Sequence, residues 1–305
     1  MPKNSRNKTI DTPLEEGAEY LARCLTAREL RAGASPLDAT LHGDMRALCP
    51  LIAPASADLI IADPPYNLTK SFDGTVFSRR NEAEYEEYTR QWLELVRPLL
   101  KPTGSIYVCC DWESSLIIGR VMQELFTVRN RITWQREKGR GAKRNWKNSM
   151  EDIWYATAGA DYCFNLDAVK LRRRVIAPYR VDGVPRDWQQ AQGEKFRDTC
   201  PSNFWDDITV PFWSMPENTA HPTQKPEKLL AKLILASSNP GDTVLDPFLG
   251  SGTTSVAAKK LGRHYIGMEL EARYCVWAEQ RLQAADADSR IQGYDGAVFK
   301  ERNYR

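Results

Sequence analysis

The sequence contains no run of 18 apolar residues, the length that would suggest a membrane-spanning helix. No apolar stretch follows the basic residues near its start, so a secretory signal is not expected either. We therefore predict a cytoplasmic location and no membrane partner. The seven cysteines are scattered and form no C-x-x-C pair. This spacing favours reduced thiols over a disulfide framework or a zinc site, and no metal is predicted.

Charge is nearly balanced overall but unevenly distributed. The composition, 42% hydrophobic and 27% charged, is typical of a soluble globular protein. The length of 305 residues allows one large α/β domain with an insertion, or two modest domains. The net charge is +2, yet residues 129–147 hold eight lysines and arginines against the single acid Glu137. A basic segment on an otherwise acidic chain is a candidate contact surface for nucleic acid.

Short apolar runs alternate with helical patterns in two separated stretches. The first has apolar runs at 58–63 and 105–110 with an amphipathic helix pattern at 84–100, and the second begins at 229–238. This alternation favours an α/β fold with a mainly parallel sheet. The stretch between them, rich in arginine, tryptophan, proline and asparagine, is interpreted as an insertion. The predicted parts are an extension at 1–36 with a helix pattern around 14–30, the sheet domain at 37–136 and 221–284, the insertion at 137–220 and a loose tail at 285–305.

The tetrapeptide Asp63-Pro64-Pro65-Tyr66 directly follows the apolar run LIIA. Ligands of open α/β sheets bind at the carboxyl ends of strands, which is where these residues fall. The prolines fix φ and remove two N–H donors, so carbonyl groups and the Asp63 carboxylate can accept hydrogen bonds from an amino group beside the Tyr66 ring. Taken alone, these residues would also suit a plain turn after a strand.

A second loop joins the strand pattern TVLD to a helix pattern and contains Gly250 and Gly252. Glycine at such a turn lets a ligand approach the backbone, and the helix N-terminus favours a carboxylate. The loop does not match the phosphate-binding loop sequence G-x-x-x-x-G-K-[ST]. It also lacks the third glycine of the dinucleotide-binding sequence G-x-G-x-x-G, which disfavours a dinucleotide ligand. Glu269 ends the next strand at about the 20-residue offset at which a carboxylate binds ribose hydroxyls. We predict nucleoside binding, with a tight packing turn as the alternative for the glycines alone.

The motifs DPPY at 63–66 and FLGSG at 248–252, in this order, resemble those of the beta class of DNA amino-methyltransferases. The resemblance covers roughly residues 38–283. It implies a doubly wound, mainly parallel sheet of the methyltransferase type that depends on S-adenosyl-L-methionine (AdoMet), with an inserted DNA-recognition segment. It also implies that Asp44 approaches the adenine of the cofactor and that HPTQKP at 221–226 borders its methionine end. The plain alternative for HPTQKP is a turn before a helix.

The resemblance assigns roles to individual residues. The predicted catalytic residues are Asp63, Pro64, Pro65 and Tyr66. The predicted cofactor-binding residues are Asp44, Thr223, Gln224, Lys225, Asp246, Phe248, Gly250, Gly252, Thr253 and Glu269. In the implied mechanism the target base is flipped out of the duplex, Asp63 and the Pro64 carbonyl hold its amine, and Tyr66 stacks on its ring. The surplus proton leaves to Asp63 or to water.

An aspartate in the catalytic motif, followed by Asn67, is typical of the members that methylate adenine N6, whereas N4-cytosine enzymes usually carry SPPY. N4-cytosine methylation, an RNA substrate and a catalytically silent DNA-binding regulator are the alternatives. The sequence contains no Pro-Cys-Gln, so cytosine C5 methylation through a cysteine nucleophile is not expected.

The variable recognition segment of the family lies where this chain has its basic segment. Contacts to phosphates, and for some residues to guanine edges, are predicted for Arg136, Lys138, Arg140, Lys143, Arg144 and Lys147. A solvated basic loop is the plain alternative. Double-stranded DNA is the predicted partner, and a homodimer and a cognate restriction endonuclease are partners that the sequence leaves open.

Overall fold

The computed structural model describes residues 6–72, 75–136, 143–176, 179–191 and 194–302, without the side chains of 70–77 and 191. The strands are β1 (Ala39–His42), β2 (Ala57–Ala62), β3 (Lys70–Phe72), β4 (Thr75–Phe77), β5 (Leu100–Cys110), β6 (Thr127–Gln135), β7 (Met150–Thr157), β8 (Leu171–Arg174), β9 (Arg180–Val181), β10 (Val184–Pro185), β11 (Gln189–Ala191), β12 (Glu194–Thr199), β13 (Phe204–Trp205), β14 (Thr243–Asp246), β15 (His264–Glu269), β16 (Tyr294–Asp295) and β17 (Val298–Lys300).

The α-helices are α1 (Ala18–Leu21), α2 (Ala27–Arg31), α3 (Met45–Leu48), α4 (Glu82–Val96), α5 (Trp112–Leu125), α6 (Glu227–Ser237), α7 (Thr253–Lys260) and α8 (Ala272–Ala287). Short 3-10 helices lie at Cys49–Leu51, Arg97–Leu99 and Leu166–Val169. Among the described residues, no helix is both long enough and apolar enough to cross a membrane.

An eight-stranded sheet carries the predicted site, in the order β1-β15-β14-β2-β5-β7-β6-β13. Neighbouring strands are parallel except at β7, which is antiparallel to both β5 and β6. The strands β2 and β14 come from the two separated stretches of the sequence and pair side by side, with Leu59 opposite Val244 and Ile60 opposite Leu245. The predicted α/β fold with a mainly parallel sheet is confirmed.

Both faces of this sheet are buried under helices. In β2, Ile60 and Ala62 pack in one apolar cluster with residues of α4 and α5, whereas Leu59 and Ile61 pack in a second cluster with residues of α6 and α7. Consecutive side chains of a strand point to opposite faces, so a strand buried on both sides must be apolar throughout. This double burial explains the uninterrupted apolar run from which the strand is predicted.

The chain leaves β2 and β14 toward opposite faces of the sheet. The helix after β2 is α4, which packs in the first cluster through Trp92, and the helix after β14 is α7, which packs in the second through Val256. Neighbouring parallel strands with connections on opposite faces leave a crevice at their carboxyl ends. Asp63 follows the end of β2 and Asp246 ends β14, so both carboxylates stand at this crevice.

The segment 137–220 differs from its prediction as an insertion outside the sheet. Strands β7 and β13 belong to the main sheet, and β7 lies between β5 and β6. Glu151 and Asp152 near the start of β7 interrupt the apolar pattern that predicts a strand, although both are buried and paired there. Strands β8, β11 and β12 of the segment form a separate sheet with β16 and β17.

The C-terminal residues differ from the predicted loose tail. Strand β17 pairs in parallel with β8 and in antiparallel fashion with β16. Phe299 is fully buried in a cluster with Val169 and Leu171. The C-terminal strands therefore complete the small sheet and join it to the main domain.

The N-terminal extension contains two short helices where the pattern around 14–30 predicts one helical piece. Thr26 forms a capping box with Glu29, which begins a new helix after α1 has ended. Ahead of α1, Ile10 forms a parallel bridge with Thr219. The extension thus packs on the segment that leads into α6.

Candidate active site

A cavity of about 270 Å³ opens at the carboxyl ends of β2 and β14. Both predicted motifs and the segment 221–226 meet there, although they are far apart in the sequence. The predicted site residues that line the cavity are Asp44, Asp63, Pro64, Pro65, Tyr66, Thr223, Gln224, Lys225, Asp246, Phe248, Gly250, Thr253 and Glu269. Gly252 is not among the described residues that line it.

The two glycines of the second motif have different structural roles. Gly250 lines the cavity at φ +56°, and a Cβ atom there would lie 3.3 Å from His221 Nε2. Gly252, at φ +86°, precedes α7, and a Cβ atom there would lie 2.7 Å from the Cβ of Ala278 in α8. Gly252 therefore permits close packing of two helices, which is the alternative considered for this turn, whereas Gly250 lies in the wall of the cavity.

Two carboxylates, the buried Asp246 and the half-buried Glu269, face the cavity from the ends of β14 and β15. Glu269 accepts a hydrogen bond from the N–H of Gly250 at 2.7 Å. Asp246 accepts hydrogen bonds from the N–H of Phe248 at 2.9 Å and from the hydroxyl of Thr254 at 2.5 Å. Burial outweighs these hydrogen bonds and raises the pKa of each carboxyl to about 7. Each acid thus shapes its loop.

Polar groups of the segment 221–226 are used to hold its own shape. The side-chain oxygen of Gln224 accepts hydrogen bonds from the N–H and the hydroxyl of Thr219, both at 2.8 Å, and its amide donates to the Glu217 carbonyl at 2.6 Å. Burial lowers the pKa of His221 to about 3, so its ring is neutral, and it lies against the ring of Tyr274 at a centroid distance of 4.4 Å. The amide of Gln224 therefore shapes the wall of the cavity.

Lys225, predicted with the cofactor-binding residues, lines the cavity and contacts the DPPY motif. Its Nζ lies 2.5 Å from Asp63 Oδ2 and 3.2 Å from the Tyr66 hydroxyl, which itself donates to Asp63 Oδ1 at 2.8 Å. Burial alone would lower the pKa of Lys225, but the carboxylates of Asp63 and Glu151 raise it above the usual value for lysine. Asp63, Tyr66 and the charged Lys225 are called the catalytic corner below, after the role predicted for the DPPY motif.

The turn that carries the DPPY motif is held in place from α4 and α5. The Tyr85 hydroxyl donates to the Pro65 carbonyl at 3.2 Å, and the Asn67 N–H donates to the Ser114 hydroxyl at 3.2 Å. The Asn67 side chain also donates to the carbonyl of Arg80 at 2.9 Å and accepts from its N–H at 2.8 Å. Asn67, used above as an indicator of the target base, thus fixes the loop beside the motif.

Sequence reasoning missed Glu151, a residue of β7 that is only 3% exposed. Its Oε2 lies 3.4 Å from both Lys225 Nζ and the Tyr66 hydroxyl, and its Oε1 pairs with Arg136. Arg136, predicted to contact DNA, therefore points inward, toward the site. A buried acid is rare unless it is paired, so the acid near the start of an apolar strand pattern was the available signal.

A sequence model of the DNA methylase family, which covers N6 and N4 methyltransferases, matches residues 57–280. The chain belongs to this family. The Escherichia coli K12 protein named DNA adenine methyltransferase YhdJ is 38% identical to this methylase over 256 residues, which cover 80% of this chain and 82% of that protein. The Type II methyltransferase M.HpaI from Haemophilus parainfluenzae is 37% identical over 243 residues, 79% of this chain and 71% of that protein.

Solved structures of other methylases have the same fold. The complex of M1.HpyAVI with SAM is 26% identical with a TM-score of 0.52, and the match covers 80% of this methylase and 98% of that chain. The PvuII DNA methyltransferase, described as cytosine-N4-specific, is 18% identical with a TM-score of 0.57, over 82% of this chain and 92% of that one. The latter likeness concerns the fold alone. The predicted membership in the DNA amino-methyltransferases is confirmed.

The remaining basic residues predicted to contact DNA lie between β6 and β7 of the methylase. Lys143, Arg144 and Lys147 are exposed, while Lys138 and Arg140 lie outside the described residues. Strand β6 runs in the direction of β2, and β7 returns antiparallel to it. The connection between them therefore emerges at the edge of the sheet where the cavity opens.

Proposed function

We propose that this methylase transfers the methyl group of AdoMet to N6 of a flipped adenine in double-stranded DNA. The observation that carries the proposal is that Asp63, an acceptor for an amine, and Glu269, an acceptor for ribose hydroxyls, line one cavity. The name of the Escherichia coli relative, a DNA adenine methyltransferase, supports adenine as the target. The cytosine-N4-specific likeness is limited to the fold.

The residues of the cavity fit AdoMet, which supplies an electrophilic methyl group when bound. Phe248 packs edge-on against Trp92 at a centroid distance of 5.3 Å and offers an apolar wall for an adenine ring. Asp44, which caps α3 and stands at the rim, would accept from the adenine amine, and Glu269 would accept from the ribose hydroxyls. Gly250, whose N–H donates to Glu269, adds no side chain to the wall of the cavity.

The catalytic corner would act on the target amine. This nitrogen is a weak nucleophile because its lone pair is delocalised into the ring, so two acceptors that hold its hydrogens, Asp63 and the Pro64 carbonyl, favour a directed lone pair. The positive charge that develops on nitrogen is stabilised by the Asp63 carboxylate. The surplus proton then leaves to Asp63 or to water, and Tyr66 provides the stacking face for the extruded ring.

The product identifies the function directly. The purified chain, incubated with methyl-labelled AdoMet and DNA that lacks adenine methylation, is expected to place the label in N6-methyladenine, because Asp63 and Pro64 supply two acceptors for an exocyclic amine. Digestion of the DNA to nucleosides followed by chromatography measures this. The Asp63→Asn variant, purified in parallel, is the control for methylases carried over from the expression host.

Three outcomes would contradict this assignment. Label in N4-methylcytosine alone would overturn the target base, preferential label in RNA would overturn the substrate, and no label with any nucleic acid would favour a silent DNA-binding regulator.

The basic connection between β6 and β7 is proposed to contact DNA phosphates. Replacement of Lys143, Arg144 and Lys147 by glutamine is expected to flatten the slope of log K for DNA binding against log salt, by about 0.9 for each residue that contacts a phosphate of B-form DNA. Titration of the binding constant between low and moderate salt measures the slope.

A matched triple variant tests whether position matters. Three basic residues lie at the edge of the sheet opposite the cavity. Lys101 is near the amino end of β5, Lys259 is near the carboxyl end of α7, and Arg290 follows the end of α8. Their replacement by glutamine removes the same charge and is expected to leave the slope nearly unchanged. Equal slopes for both triple variants would show that the basic connection does not face DNA.

Other parts of the prediction stay proposals. The chain is proposed to use the segment 137–220 for target recognition, although part of it belongs to the main sheet. The Type II name of M.HpaI supports a restriction-modification setting with a cognate endonuclease. The homodimer and the cytoplasmic location stay predictions from the sequence.

A further inference from the structure

Glu151 stands behind the catalytic corner. It is not among the described residues that line the cavity, and its side chain is almost fully buried, so it is not placed to touch the target base. Its Oε2 nevertheless lies 3.4 Å from two groups of the corner, Lys225 Nζ and the Tyr66 hydroxyl. Both of these groups also contact Asp63. Glu151 is therefore a second carboxylate within reach of each partner of the first.

Two carboxylates, Asp63 and Glu151, face two cations, Lys225 and Arg136, in this cluster. Lys225 lies between two carboxylates, 2.5 Å from Asp63 Oδ2 and 3.4 Å from Glu151 Oε2, and Arg136 pairs with the far oxygen of Glu151. A buried charge is costly unless it is paired, and removal of one partner leaves the other uncompensated. Without Glu151, the ammonium of Lys225 would depend on Asp63 alone.

Pairing of Lys225 with Asp63 alone would hinder the proposed reaction. The lone pair of the target nitrogen forms the new N–C bond while the S–C bond breaks with its electron pair retained by sulfur, so positive charge moves onto nitrogen beside Asp63. The nitrogen and Lys225 then compete as cations for the same carboxylate. A second carboxylate that attracts Lys225 leaves more of the charge of Asp63 available for the nitrogen.

We propose that Glu151 is a positioning residue for methyl transfer, which shares Lys225 with Asp63 and thereby keeps Asp63 an effective acceptor for the target amine. A hydroxyl has one proton, so Tyr66 donates to one carboxylate at a time, and Glu151 is also the acceptor available when the amine occupies Asp63. This inference rests on the proposed amine methylation.

Glu151→Gln keeps the shape of the side chain and removes its charge. We expect kcat for DNA methylation to fall about 10- to 100-fold, the loss typical of groups that orient a metal ligand and so also act through a neighbour, with AdoMet binding within about twofold of the unchanged enzyme. Glu151→Asp keeps the charge and draws it back from Lys225, so a smaller fall is expected. Single-turnover rates measure the effect on methyl transfer, and calorimetry measures the effect on AdoMet affinity. Unchanged rates in the folded variants, or an equal loss of AdoMet affinity, would overturn the proposal.

A double-mutant cycle with Lys225→Met tests the route of action. Lys225→Met removes the cation that Glu151 is proposed to hold, so adding Glu151→Gln in that background is expected to cost less than about threefold, or to restore some activity by removing a carboxylate next to Asp63. If Glu151→Gln lowered the rate by the same factor in the wild-type and Lys225→Met backgrounds, Glu151 would not act through Lys225. If Glu151→Gln does not fold alone, Glu151→Asp replaces it in both the wild-type and the Lys225→Met backgrounds.

Asp152→Asn is the matched control. Asp152 is the next residue of β7 and is also buried, but it points to the other face of the sheet, where it accepts from the hydroxyls of Ser115 at 2.7 Å and Thr133 at 2.9 Å. The kcat of the Asp152→Asn enzyme is expected to stay within about threefold of the wild-type value, although the free energy of unfolding falls. Failure of the proposed function would appear as no methylated adenine from the unchanged enzyme, whereas failure of this inference would leave that activity intact and insensitive to Glu151.

Discussion

Replacement of Asp63 by asparagine is expected to lower kcat at least about 10²- to 10³-fold, the usual loss when one group that stabilises developing charge is removed. The amide keeps the shape of the side chain but carries no charge. It keeps one acceptor oxygen, but its NH₂ group is a donor in place of the second, so it cannot accept both from the target amine and from Lys225 Nζ, which lies 2.5 Å from the present carboxylate. AdoMet affinity is expected to change by less than about tenfold, which corresponds to about 1.4 kcal/mol. Methyl transfer under single-turnover conditions and calorimetric titration measure the two quantities.

The matched control for Asp63→Asn is Asp58→Asn on the same strand. Asp58 lies at the opposite end of β2, where it pairs with Lys101 at 2.8 Å and accepts from the N–H of Thr243 at 2.9 Å. Its substitution should lower stability without lowering kcat. If a folded Asp63→Asn enzyme kept wild-type turnover, the catalytic assignment of the DPPY motif would be wrong.

Replacement of Gly250 by valine is expected to weaken AdoMet binding by about 100-fold or more. A β-branched residue at φ +56° is strained by about 1–3 kcal/mol, and its Cβ would lie 3.3 Å from His221 Nε2. Relief of this contact must move either the backbone that donates to Glu269 at 2.7 Å or the segment of His221. Both movements change the wall of the proposed cofactor site. Calorimetry on the folded variant measures the loss.

Gly262→Val separates backbone strain from blockage of the site. Gly262 has φ +72°, and among the described residues no heavy atom outside its chain neighbours lies within 4 Å of the position that its Cβ would take. The two variants share the conformational penalty, but only the valine at 250 intrudes on the cavity. Similar AdoMet affinities for Gly250→Val and Gly262→Val would show that the cofactor does not bind beside Gly250.

Strong local patterns made much of the fold predictable. The strands β2 and β14 are recognisable because burial on both faces requires uninterrupted apolar runs, and the loops after them carry residues that suit a turn and a ligand. The two motifs also carry the family resemblance that the comparisons confirm. The strand β7 escaped prediction because Glu151 and Asp152 interrupt its pattern, and their burial is possible only with partners from other elements.

The sequence by itself determined the fold class, the family and the motif residues, nearly all of which line the cavity, since these depend on local periodicity and on contiguous motifs. Tertiary structure alone decided that Lys225 contacts Asp63, 162 residues away, that Glu151 lies behind them, and that Gly252 packs two helices. The reason is that strand order and register bring these groups together, and both are set by packing of the whole sheet. Buried charges can be assigned a partner only once that order is known.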